Sequence, residues 1–86
     1  MITVQVKLYG NLRQYRPKTA DGAPHHPFSI AVEESAVMKD VLAVLEIPDG
    51  LTAVISLNGV NVDDNTPLSN NANISLFPPT AGGAWV

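Results

Sequence analysis

The 86 residues, 45% apolar and 15% charged, describe a single globular domain with a core to bury and exclude a disordered chain. The absence of cysteine removes disulfides, thiolate zinc sites, iron–sulfur clusters and thiol nucleophiles from consideration. A net charge of −3 gives no electrostatic reason to bind nucleic acid, and the apolar runs are too short to span a bilayer.

The segment Met1-Ile2-Thr3-Val4-Gln5-Val6 lacks a basic region and a long apolar run, so no signal peptide and a cytoplasmic location are expected. Ile2, Val4, Val6 and Leu8 alternate with Thr3, Gln5, Lys7 and Tyr9, which is the period of a strand buried on one face. From Gly10 to Pro27 the alternation dissolves among Pro17, Asp21-Gly22, Pro24 and Pro27. A connection of that length in so small a domain is expected to be a mobile loop. Phe28, Ile30 and Val32 resume the alternation as a second strand, paired with the first as an open hairpin.

Ser35 is placed to cap a helix from about Ala36 to Glu46. Val37, Val41 and Leu45, flanked by Met38 and Leu42, make one apolar stripe, with Lys39, Asp40 and Glu46 largely opposite. Pro48-Asp49-Gly50 then ends the helix. Ala53 to Leu57 reads as a third strand and Val60 to Val62 as a fourth. Between them Asn58-Gly59 is the strongest short hairpin signal, because a type I′ turn needs φ > 0 at both positions. Asp63 to Asn73 is polar, with Pro67-Leu68 tucking one apolar residue under a turn, and Asn73 to Phe77 is the last strand. One helix covers one face of a sheet of about five strands, an α+β domain with a two-layer core.

Few side chains suggest chemistry of their own. His25-His26 lacks further ligands nearby, and Asp63-Asp64 lacks the spacing of a calcium loop; solvated loop and polar turn are the preferred readings. Glu33-Glu34 favour the positive end of the helix, and Met38 belongs to the core. With no nucleophile–base pair and no phosphate loop, neither an independent catalytic site nor a bound cofactor or metal is expected.

The end of the chain is more informative. Pro78-Pro79 remove two backbone donors, so the sheet ends there, and Gly82-Gly83 follow. Six residues from Pro78 to Gly83, if extended, reach roughly 20 Å. The order of elements resembles the ubiquitin-like β-grasp fold, which implies a mixed sheet with its first and last strands parallel in the middle. Within it the chain resembles the small subunit of molybdopterin synthase and related sulfur carriers. The match rests on Val6-Lys7-Leu8-Tyr9-Gly10-Asn11-Leu12-Arg13, on Leu57-Asn58-Gly59-Val60-Asn61-Val62 with Thr66-Pro67-Leu68, and on Leu76-Phe77-Pro78-Pro79-Thr80-Ala81-Gly82-Gly83. It covers the chain outside 10–27, where an insertion lies between about Tyr15 and Pro27. The two prolines favour the molybdopterin branch over the thiamine carriers.

The resemblance implies a domain over residues 1–77 and a flexible tail over 78–86. Gly83 would bear an acyl-adenylate and then a thiocarboxylate, and Gly82 would let the tail thread into a partner. Phe77, Pro78 and Pro79 would meet that partner, although a Phe on a last strand also suits the core. The implied partners are a ubiquitin-activating-type adenylating enzyme and a synthase large subunit or other sulfur acceptor. This chain continues as Ala84-Trp85-Val86, so Gly83 carries an amide where a carboxylate is required. Removal of those residues by a processing protease, at the Gly83–Ala84 bond, is preferred over a permanently capped tail. Two alternatives stand beside the carrier: a ubiquitin-like protein modifier, and a non-covalent β-grasp binding or regulatory subunit.

Overall fold

A computed structural model describes residues 1–18, 20, 22–23, 26–48 and 50–79. Five strands form one sheet: β1 (Ile2–Leu8), β2 (Phe28–Val32), β3 (Val54–Leu57), β4 (Val60–Val62) and β5 (Asn73–Phe77). Among the described residues one α-helix, α1 (Met38–Val44), accompanies the strands. The strand order is β2-β1-β5-β3-β4. β1 and β5 lie parallel at the centre with Val6 opposite Ile74 and Leu8 opposite Leu76; the other neighbours are antiparallel. That is the arrangement the resemblance implied. No helix among the described residues is long and apolar enough to cross a membrane.

Alternation decides which side chains are buried. Val4, Val6 and Leu8 of β1 and Ile74 and Leu76 of β5 point to one face and form a single cluster with Met38, Val41 and Leu45. Phe28, Val32 and Leu68 join it, so the tuck expected at Pro67-Leu68 is present. The opposite face carries Gln5, Lys7 and Ser75, and among the described residues no helix packs over it. The Asn58-Gly59 turn has φ of 51° and 86°, as a type I′ hairpin requires. It is also fastened across the sheet, because Asn58 Oδ1 accepts the Asn73 N–H and the Asn58 N–H donates to the Asn73 carbonyl, both at 2.8 Å.

The expected helix bounds need correction at both ends. Ser35 is not the cap; α1 starts at Met38, with Val37 extended before it. Val37 forms an isolated bridge with Pro67, and the polar turn beyond β4 supplies what a capping side chain would. Met38 and Lys39 donate their N–H groups to the Thr66 and Asp64 carbonyls, while Asp40 Oδ2 accepts from the Val37 N–H at 2.8 Å. Asp40, rather than Glu33-Glu34, is therefore the acid in the first turn.

At the other end the helix stops before Pro48. Glu46 has φ 58°, its N–H donates to Ala43 O, and the Ile47 N–H donates to Leu42 O. This is a Schellman ending with a glutamate where glycine is favoured. Glu46→Gly is accordingly expected to stabilise the domain by about 0.5–1 kcal/mol, seen as a higher urea midpoint at unchanged slope.

The stretch after β1 also differs from its sequence reading. Gly10–Tyr15 forms a 3-10 helix that buries Leu12. Beyond it, the Arg16 guanidinium donates to the Ala20, Gly22 and His26 carbonyls and lies 5.6 Å from the Phe28 ring centroid.

Candidate functional site

The site begins where β5 leaves the sheet. Leu76 points into the core, so the next residue, Phe77, must point to the open face. There it stacks on Tyr9 with ring centroids 4.3 Å apart and an interplanar angle of 16°. Tyr9 directly follows β1, and the parallel β1–β5 pairing is what brings the two rings together. Lys7 Nζ sits 5.2 Å from the Tyr9 centroid, and Val54, opposite Phe77 in register, is 39% exposed. The result is an aromatic and aliphatic patch with one cation, on the sheet face opposite α1.

Sequence reading singled out Phe77 and left it facing either core or partner; the structure places it outside the helix-covered core. It assigned Tyr9 no role. The signal was the shared face of β1 and β5, which emerges only once their parallel register is known.

The tail root is held on both sides. The Tyr9 N–H donates to the Leu76 carbonyl at 3.1 Å, and the Ala53 N–H to the Phe77 carbonyl at 2.9 Å. Pro78 is buried and Pro79 exposed. Gly10, with φ 58°, lies against the Pro78 ring. Gly82, Gly83, Ala84, Trp85 and Val86 lie outside the described residues, as do Asp21, Pro24, His25 and Asp49. His26 Nδ1 accepts the Ala23 N–H, and Asp63 Oδ1 accepts the Asn65 N–H, so the latter forms the polar turn expected of it. Among the described residues no group of three or more potential metal ligands occurs.

A profile of the ThiS family matches residues 6–83, from the middle of β1 through the glycine pair. The chain belongs to the ThiS family. No curated protein sequence matches it. Solved structures give the fold independently. This ThiS-family chain is similar to a protein from Pyrococcus furiosus assigned as molybdopterin converting factor subunit 1, with TM-score 0.70 and 19% identity over 93% of this chain and 100% of that one. Small archaeal modifier protein 1 of Haloferax volcanii gives TM-score 0.69 at 18% identity, over 94% and 99% of the two chains. A complex of subunits 1 and 2 of molybdopterin-converting factor from Helicobacter pylori gives TM-score 0.59 at 28% identity, over 95% and 100%. The domain is a ubiquitin-like β-grasp, as the resemblance implied, of the ubiquitin-like sulfur-carrier group.

Proposed function

We propose that this ThiS-family chain is a sulfur carrier of the molybdopterin-synthase small-subunit type. The observation that carries the reading is the family match extending through Gly82 and Gly83, beyond the last strand and into the tail. Hydrolysis of the Gly83–Ala84 peptide bond by a processing protease frees the Gly83 carboxylate. One carboxylate oxygen attacks the α-phosphorus of ATP on a ubiquitin-activating-type enzyme, and pyrophosphate leaves. A sulfur nucleophile at the oxidation level of sulfide then attacks the acyl carbon and AMP leaves, giving a thiocarboxylate.

The carrier supplies a reachable end and a docking face; its partners supply the chemistry. The Tyr9–Phe77 patch, with Val54 beside it, is the docking face, and Pro78-Pro79 direct the tail from its edge. The Helicobacter pylori relative is found with subunit 2, which supports a large-subunit partner of that kind here.

The intact mass of protein purified from its own host tests the reading. Loss of Ala84-Trp85-Val86 together with an oxygen-for-sulfur exchange is the expected result. Quantitative retention of Trp85 while the partners are present sinks it. An isopeptide link from Gly83 to a target lysine transfers the reading to a protein modifier.

A further inference from the structure

Pro78 follows the last strand and is nonetheless buried, whereas the next residue, Pro79, is exposed. Proline has no N–H, so it gains no ladder hydrogen bond there. What holds it is the clasp on the two preceding carbonyls, together with the surface beneath its ring. The residue beneath is Gly10. A Cβ built on Gly10 would lie 2.8 Å from Pro78 Cγ and 3.5 Å from Pro78 Cδ. The first of these is closer than a Cβ and a ring carbon approach without one of them moving.

Two separate demands thus meet at position 10, and they are distinguishable within this chain. The backbone has φ 58°, which disfavours most side chains. Yet Glu46, Asn58 and Asn71 adopt φ of 58°, 51° and 65°, so left-handed backbone alone does not require glycine in this fold. Cβ atoms at Gly50 and Gly59 would meet nothing within 4 Å. At Gly10 the demand comes from Pro78.

We propose that Gly10 is a positioning residue: its bare Cα is the seat that fixes the Pro78 ring and so sets the direction in which the tail leaves the domain. This rests on the sulfur-carrier reading, since aiming matters only if the tail enters a partner. Proline's φ is locked near −65°, so the placement of the ring fixes where the chain toward Pro79 starts. Five residues from Pro79 to Gly83, if extended, would span about 17 Å, so a rotation of about 20° at the root would displace the reactive end by about 6 Å. A partner that grips the Tyr9–Phe77 face and threads the tail must satisfy both at once. Filling the seat leaves the docking face in place and spoils the attack geometry.

The test uses the chain ending at Gly83 and an adenylating enzyme of the ubiquitin-activating type, read by ATP–pyrophosphate exchange. Four forms are compared: wild type, Gly10→Ala, Pro78→Ala, and the double variant. Gly10→Ala is expected to lower kcat about tenfold with KM held within about twofold, the signature of lost alignment rather than lost binding. Pro78→Ala, which empties the seat, also lowers kcat at constant KM. In that background Gly10→Ala has an effect of less than about twofold, because the ring it would strike is gone.

Urea midpoints verify folding of each form. If Gly10→Ala does not fold, Pro78→Ala alone decides the matter. A wild-type kcat in the decisive variant overturns the inference, as does a rise confined to KM. An equal Gly10→Ala effect in both backgrounds also overturns it, since backbone strain alone would then be the cause. If all four forms are inert with an enzyme that adenylates an authentic carrier, the sulfur-carrier reading fails first and takes the seat with it.

Discussion

Replacing Phe77 with alanine is expected, on the proposed docking face, to weaken binding to a synthase-type large subunit by about 2 kcal/mol or more, about thirtyfold in Kd, and to leave the domain folded. The expectation follows from where the ring sits. Phe77 stacks on Tyr9 on the open face, beside exposed Val54 and at the foot of the tail. On the proposed docking face, a partner that receives the tail covers this patch, so the ring would be desolvated on binding and its removal would leave an unfilled hole. Within the free domain the ring is half-buried, and its stack on Tyr9 adds about 0.5–1.5 kcal/mol beyond the area it covers. Calorimetric titration against the large subunit, paired with urea unfolding, separates the two effects. Unchanged affinity would move the docking face elsewhere. Tyr9→Ala is the companion, expected to weaken binding in the same direction by exposing one side of Phe77.

One residue earlier the outcome reverses. Leu76→Ala is expected to cost about 2–5 kcal/mol of stability, because it leaves a cavity in a packed interior. Leu76 is fully buried on the central strand, opposite Leu8 in register. A domain of this size has about 4–13 kcal/mol in total, at roughly 0.05–0.15 kcal/mol per residue. The variant is therefore marginal, and its far-UV signal in a urea titration should collapse at much lower denaturant. A loss below about 1 kcal/mol would mean that α1 settles into the gap and that the packing is looser than described. Leu76 and Phe77 are neighbours in sequence on opposite faces of one strand, so the pair distinguishes folding from docking.

Much of the architecture was legible because its signals are local. The alternation in β1, β2 and β5, the Asn58-Gly59 turn and the Val41–Leu45 stripe each depend on residues within a few positions. The errors arose where a distant segment intervened. Ser35 looked like a cap, but the Asp64 and Thr66 carbonyls reached the first helical N–H groups instead. Glu46 ended the helix ahead of Pro48 by turning left-handed, which a glutamate does not advertise. The site divides the same way. Gly82-Gly83 and Pro78-Pro79 are visible as a motif, whereas the Tyr9–Phe77 stack and the Gly10–Pro78 contact each join residues 68 positions apart. Only the parallel pairing of β1 and β5 creates them.

That pairing governs when the molecule comes into being. The central strand, β5, is the last of the five to be made, so a growing polypeptide on the ribosome holds the β1–β2 and β3–β4 hairpins without the strand that pairs with both. Closure waits for β5, and long-range closure of this sort is slow relative to local folding. On the proposed sulfur-carrier reading, a prematurely terminated product lacks both its middle and the segment to be activated, and an activating enzyme would meet that segment only on a chain whose folding is finished.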